Sequence, residues 1–300
     1  MSIVKISERK DKVYNTRYTN IITSNMLKKD MYESKMSQRA IASKYGVCRR
    51  IIVNLQSLYN LELLQMFERR TPKEVTEEQK QVLYGCAIAD GHIFKSNPRK
   101  HGAMKIVHTM KRESYLDYKY KLLKDFVGTP PKVASRTLKV NNKTYYCKSF
   151  RTLTHSFFTY LHDKLYRFNE ITGKSVKHLS QEILDQIGPL GLAVIYMDDG
   201  TKHGNSRRFC LESFPYEEQI MFCNWLKSKF NLNCKVYPCK GGTGYRCSVL
   251  SVSSSDFDDI VLPHIHSCML YKIDINKIDQ PQRLYVEQCL LDEEDAEDIV

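Results

Sequence analysis

Two stretches decide how this chain folds: Leu83-Tyr-Gly-Cys-Ala-Ile-Ala-Asp-Gly91 and Leu192-Ala-Val-Ile-Tyr-Met-Asp-Asp-Gly200. Each reads as an almost wholly apolar helix that must be buried. Each ends in aspartate followed by glycine, and the terminal aspartates, Asp90 and Asp199, stand 109 positions apart. Thr76-Glu-Glu-Gln79 is a capping box that opens the first helix, and Gly188-Pro189 opens the second. Glycine directly after a helix predicts a left-handed cap. Aspartate in the last turn is unusual, because its charge opposes the negative end of the helix dipole. A half-buried carboxylate there needs a cation. Two occurrences point to a shared device rather than an accident.

The segments downstream of the two stretches repeat as well. After Asp90 come a basic alternating segment (93–107), a helix (113–126), a hairpin (132–152, turning at Asn141-Asn142) and a helix (155–166). After Asp199 come a strand (207–211), a helix (216–230), a hairpin (234–252, turning near Gly241-Gly242) and a helix (255–265). The pattern αββαββα, read twice, predicts an α+β fold of two pseudo-symmetric halves, each an antiparallel sheet with helices on one face. The halves are expected at 75–185 and 186–290, with an acidic tail at 291–300. The first hairpin carries Lys132, Arg136, Lys148 and Arg151, with Lys139 and Lys143 near its turn; the second offers Lys235, Tyr237, Lys240 and Arg246. A sheet with helices on one side and bases on the other suits a DNA groove.

Charge supports a polyanionic partner. The 300-residue chain carries 46 Lys+Arg against 34 Asp+Glu, a net +12. Six of the acids fall in the last ten residues, so the body is more basic still. Hydrophobic residues make up 42% and charged residues 27%, ordinary globular values that exclude a disordered or fibrous chain. No apolar run approaches the ~20 residues of a membrane span, and the first residues do not read as a signal peptide. The ten cysteines are scattered without a Cys-x-x-Cys pair, which predicts free thiols in a reducing intracellular compartment.

Ahead of a linker at 69–73, residues 1–70 form a helical region. Ser37-Gln-Arg-Ala-Ile-Ala-Ser-Lys-Tyr45, Gly46-Val47 and Cys48-Arg-Arg-Ile-Ile-Val-Asn-Leu55 have the spacing of a helix-turn-helix: Ser37 caps, Ala42 permits a close crossing, and Gly46 turns the chain. Arg39, Lys44, Arg49, Arg50 and Asn54 would then reach phosphates or base edges.

The two quoted stretches resemble the signature helices of LAGLIDADG homing endonucleases, and the resemblance covers roughly 76–275. His108-Thr-Met-Lys111 with Tyr115-Leu116, and Leu262-Pro-His-Ile-His-Ser-Cys-Met-Leu-Tyr-Lys272, resemble further parts of that family. The resemblance implies a single-chain fold in which the two helices pack at a pseudo-twofold interface beneath two DNA-straddling sheets. It implies Asp90 and Asp199 as metal-binding acids, with the carbonyls of Ala89 and Asp198 beside them and Lys111 near the reacting water. Magnesium (Mg2+) is the implied ion, with Mn2+ the alternative. Two departures stand out. Val194 replaces the glycine found at Gly85 in the first stretch. Ser251 and Val252 occupy the place of a second lysine, which predicts unequal cutting of the two strands.

The leading expectation is therefore a monomeric, metal-dependent endonuclease that cuts double-stranded DNA at a long target site. The alternatives are an intron RNA-binding maturase and a transcription regulator with a degenerate endonuclease core. Retention of both aspartates favours the nuclease. An intein is not expected, since the sequence ends without a splice-junction His-Asn.

Overall fold

The computed structural model describes residues 18–34, 36–61, 74–95, 101–137, 144–170, 172–239, 244–284 and 286. The chain divides into two compact units, Met1–Pro72 and Lys73–Val300.

The first unit is helical: α1 (Ser24–Lys28) runs into a π-helical turn (Lys29–Glu33), followed by α2 (Gln38–Lys44) and α3 (Arg49–Leu58). The Ser37 hydroxyl accepts from the Ala40 amide at 3.0 Å, which satisfies one orphan donor of α2. Gly46 turns the chain between α2 and α3 at φ +62°, a conformation that glycine adopts without a Cβ penalty. Ile22, Leu27, Ile41, Ile52 and Leu55 are fully buried and form this unit's own core.

The second unit carries the pseudo-symmetric design. Its first half runs α4 (Glu77–Ile88), β1 (His92–Phe94), β2 (Ala103–Thr109), α5 (Glu113–Leu122), β3 (Lys132–Thr137), β4 (Thr144–Arg151) and α6 (Ser156–Leu165). A small hairpin, β5 (Tyr166–Asn169) and β6 (Lys174–Lys177), and a short helix α7 (Gln181–Gln186) lead to the second half. There α8 (Pro189–Asp199), β7 (Gly200–His203), β8 (Ser206–Phe209), α9 (Tyr216–Phe230), β9 (Cys234–Pro238), β10 (Tyr245–Val249) and α10 (Ser251–Val261) repeat the order. The sheets have matching topologies, β1-β2-β4-β3 and β7-β8-β10-β9, all antiparallel. The hairpin β5–β6 is the element that the sequence pattern does not reveal, being four residues per strand and polar.

α4 begins at the expected capping box: Thr76 Oγ1 accepts from the Gln79 amide and Gln79 Oε1 accepts from the Thr76 amide. α4 and α8 cross at the centre of the core. The crossing explains the odd valine. A Cβ on Gly85 would lie 2.6 Å from the Val194 Cβ, so the glycine of one helix makes room for the valine of the other. The close approach of the two helices is therefore accommodated from one side, by Gly85. Gly91 and Gly200 correct a second expectation. Neither has a positive φ; Gly200 is extended at φ −97°. They are glycines because the chain folds back on its own helix: a Cβ would meet the Cys86 carbonyl oxygen at 2.5 Å, or the Tyr196 ring at 2.0 Å.

Candidate active site

The ends of α4 and α8 bring together the charges that these apolar helices carry. Asp90 follows α4 and Asp199 is the last residue of α8. Burial, then the neighbouring Asp198 charge, raises the Asp90 carboxyl above its ordinary value. Burial, then Asp90 and Asp198, pushes Asp199 up to about 7. Each like charge makes the other harder to ionise.

Two lysines close the helix ends. Lys177, at the end of β6, donates to the carbonyls of Ala89 at 2.6 Å and Gly91 at 3.0 Å. Lys272, at the end of a 3-10 segment (Ser267–Lys272), donates to the carbonyl of Met197 at 2.6 Å. These ammonium groups satisfy C-terminal carbonyls and place positive charge where the helix dipole is negative. Burial lowers both, Lys272 to about 8, against the pull of the nearby aspartates.

A third lysine acts differently. Lys119 on α5 donates to both carboxylate oxygens of Asp198, at 2.7 and 2.8 Å, with both side chains fully buried. Burial alone would lower Lys119, but Asp198 overrides it and the net shift is upward. His108 on β2 stands between the two carboxylates, 3.8 Å from Asp90 and 3.7 Å from Asp198, and 3.1 Å from the Lys119 nitrogen. Burial, then Lys119, drives His108 down to about 3, so its imidazole is neutral.

Asp90, His108 and Asp198 offer ligand atoms within 4.8 Å of one another. Asp198 is nonetheless poorly suited to a metal, because a buried ammonium already holds both of its oxygens. Asp90 and Asp199 fit better: among the described residues neither has a lysine or arginine at ion-pair distance, and both are held partly desolvated next to like charge. Two hard oxygen donors whose repulsion a divalent cation would relieve suit Mg2+ or Mn2+.

Several expected positions move. Lys111 is exposed on the 3-10 turn Met110–Arg112, and the cation of that turn whose field reaches Asp90 is Arg112. The Ala89 carbonyl, expected beside a metal, accepts from Lys177. Asp198 enters the site through its lysine-held side chain. Lys272 closes the second helix end as Lys177 closes the first, while residues 251–252, at the start of α10, supply no cation. Sequence reasoning misses Lys177 and Lys272 because they lie outside the periodic elements. The one available signal is that Lys272 ends the Leu262–Lys272 stretch that resembles the family.

Each sheet leaves one face open. Register places Lys105 beside Arg151, and Lys132 beside Ser149, on the open face of the first sheet. Arg151 also lies over the Phe94 ring at 4.0 Å. Arg136 pairs with Tyr145. Lys148 is a correction: strand alternation turns it to the helix-covered side, where Glu113 and Asp117 of α5 hold it. In the second sheet Thr201, Arg208, Ser248 and Lys235 line up across one face, with Tyr237 and Arg246 one step further along the same face. Arg246 is ion-paired with Glu212 at the sheet margin. Lys105 and Arg208 are open-face bases that hairpin reading alone does not select. Lys139, Lys143 and Lys240 lie outside the described residues. In the helical unit Arg39, Arg49 and Arg50 are exposed and Asn54 is half-buried. Lys44, expected at a phosphate, is ion-paired at 2.6 Å with buried Asp30.

The sequence profile of the LAGLIDADG DNA endonuclease family matches residues 80–258. The chain is similar to DNA endonuclease I-ChuI of Chlamydomonas applanata, 28% identical over 208 residues that span 66% of this chain and 95% of that protein. It is also similar to cytochrome b mRNA maturase bI2 of Saccharomyces cerevisiae, 26% identical over 196 residues, and spans 46% of that protein's length. The solved structure of the homing endonuclease I-WcaI bound to its DNA recognition sequence shares the fold, with a TM-score of 0.61 and 22% identity over 72% of this chain and 93% of that chain.

Proposed function

The chain belongs to the LAGLIDADG DNA endonuclease family, and we propose that it is a site-specific endonuclease that cuts both strands of a duplex with Asp90 and Asp199 as its metal-holding acids. The observation that carries this reading is the pair of partly desolvated carboxylates, one at the end of each crossing helix, neither ion-paired with a lysine or arginine among the described residues. Each half supplies one acid, so each half addresses one scissile phosphate. Asp90 and Asp199 would hold a divalent ion, Mg2+ or Mn2+, which would supply a lowered pKa for an attacking water and stabilisation of charge on the phosphate oxygens.

The chain's own residues do the rest. Lys177 and Lys272 fix the helix ends and lend positive field to the aspartates. Lys119 holds buried Asp198, and neutral His108, hydrogen-bonded to Lys119, packs between Asp198 and Asp90, so that the acidic cluster stays compact. Lys105, Lys132, Arg151, Arg208, Lys235 and Tyr237 face the duplex; phosphate contacts fix register and base-edge contacts select the site. Arg39, Arg49, Arg50 and Asn54 of the helical unit extend the contact, and the whole acts as a monomer in a reducing compartment.

The test is cleavage by the wild-type protein of a duplex recovered from a randomised library, with Mg2+ and with chelator. Site-specific double-strand breaks that need both aspartates support the reading; binding without cleavage in Mg2+ or Mn2+ defeats it. The similarity to the bI2 maturase favours a second reading, in which the same basic faces hold intron RNA. Protein-dependent splicing of an intron found to carry the coding sequence would mark that activity.

A further inference from the structure

Among the described residues the hairpin β5–β6 has no counterpart in the second half. Its position is set at its base. Lys177 is bonded to the Ala89 and Gly91 carbonyls, and the Tyr166 hydroxyl accepts from the Ile93 amide at 3.1 Å. The Tyr166 ring meets His92 edge-on and stacks flat on His162 at 4.9 Å. The hairpin is thus fastened to the end of α4 and to β1, the edge strand of the first sheet.

Strand alternation then decides which way its outer residues face. Tyr166 pairs with Lys177, and Phe168 pairs with Ser175. Residues two apart share a face, so Phe168 is on the same face as Tyr166 and Lys177, about 7 Å further out. That face is the one turned toward the Asp90 end of α4. Phe168 is 67% exposed, the most exposed aromatic side chain among the described residues. Arg167 and Lys174 are exposed bases on the opposite face, and Glu170 is the one acid among the hairpin's described residues.

An exposed phenylalanine on a basic, anchored two-stranded arm beside a phosphodiester-cleaving site needs a partner that is anionic outside and flat and apolar inside. Duplex DNA has that chemistry. Resting on the endonuclease reading above, we infer that Phe168 is a wedge, which stacks against a base beside the phosphate addressed by Asp90 and opens that base step. Aromatic side chains inserted between base steps unstack and kink a duplex, and loss of such a stack weakens binding by roughly one to two orders of magnitude. In the second half the Asp199 end is covered by the 3-10 segment Ser267–Lys272 instead, so the wedge acts on one side only.

The experiment uses the full-length protein and the duplex selected by the wild type, with 2-aminopurine placed singly through its central steps and chelator present. The wild type should raise 2-aminopurine emission several-fold at one step, adjacent to one cut and not the other. Phe168→Ala should abolish the rise, weaken binding by about ten-fold and slow cutting of the adjacent strand. Phe168→Trp should keep the rise. An unchanged emission profile in Phe168→Ala, or a rise placed symmetrically about the two cuts, overturns the wedge. Failure of the wild type to cut the selected duplex in Mg2+ instead overturns the endonuclease reading itself. Circular dichroism of each variant is expected to match the wild type, because Phe168 makes little contact with the core.

Discussion

The ends of α4 and α8 are built to the same plan from different parts. Both finish in an aspartate whose carboxyl is raised by burial, and both have their last carbonyls held by a lysine. In the first half that lysine arrives on a β-hairpin, in the second on a 3-10 segment. Residue 89 is alanine, whereas the equivalent position, 198, is an aspartate tied to a lysine from the other half. The repeated requirement is an acid at a helix end with a cation behind it. The scaffold that delivers the cation is free to differ. The unrepeated feature, the Lys119–Asp198 pair, binds the two halves across their shared interface.

The largest expected effect tests the equivalence of the two acids. Asp90→Asn and Asp199→Asn should each reduce double-strand cleavage by about 10^3-fold while leaving affinity within a few-fold. Titration of each variant against its target with Mg2+ checks this, and full cutting by either removes that residue from the site. Next, Lys177→Met and Lys272→Met should each slow a different strand, so that nicked plasmid accumulates. Separately labelled strands report which. If both variants slow both strands alike, the lysines serve the fold and not one phosphate each.

The cross-half pair predicts a stability effect rather than a strand effect. Lys119→Met leaves the Asp198 charge buried and unpaired, which costs about 3–5 kcal/mol; urea unfolding measures it. Adding Asp198→Leu should recover much of that loss. If Lys119→Met is instead near neutral, Asp198 is more accessible than its geometry indicates.

Protonation gives a smaller, graded effect. Asp199 titrates near 7 in the folded protein, well above an unfolded aspartate. Its charged form is therefore the destabilising one, and the metal-free protein should lose stability from this group as pH rises from about 4, where an unfolded aspartate ionises, to about 7, with no further loss above that. A divalent ion should reverse that loss, and its affinity should weaken as pH falls below the same value, by up to ten-fold per unit for one proton. Thermal melts at several pH values, with and without MgCl2, read both slopes. The smallest effect concerns the helical unit. A chain beginning at Lys73 should retain cleavage but lose about 0.9 of logarithmic salt slope for each phosphate contact removed. Salt-dependent binding of the two forms measures it, and an unchanged slope means that the helical unit does not touch the backbone.

Much of the fold and the site is legible in the residues because burial and periodicity are local properties. Apolar helices ending in Asp-Gly point to both the core and its chemistry, and alternating strands give matching sheets. The placement of single polar side chains across long separations is not legible in this way. Lys119 reads as one base among several on an amphipathic helix, and only the crossing of the halves brings it to Asp198. Lys148 reads as a DNA-facing base until register turns it toward Glu113 and Asp117. Lys177 closes a strand too short to show a period. Gly91 and Gly200 are as obligatory as their place after each helix suggests, but for a different reason: the demand is space against the preceding turn, not backbone sign.

The contact between Gly85 and Val194 bears on how such proteins exchange parts. A methyl added at Gly85 would collide with the valine at 2.6 Å and with the Gly191 carbonyl oxygen at 2.8 Å, an overpacking costing about 1–3 kcal/mol. A relative with a side chain at the first position and glycine at the second would have the knob and the notch reversed, with its helices shifted to move the residue-191 carbonyl clear of the added methyl. Halves from the two lineages would not interchange in either order: one chimaera would have two knobs facing each other, the other two notches and a void. Recombination between halves, natural or designed, should therefore succeed only when both residues travel together, which makes positions 85 and 194 a mating type for the fold.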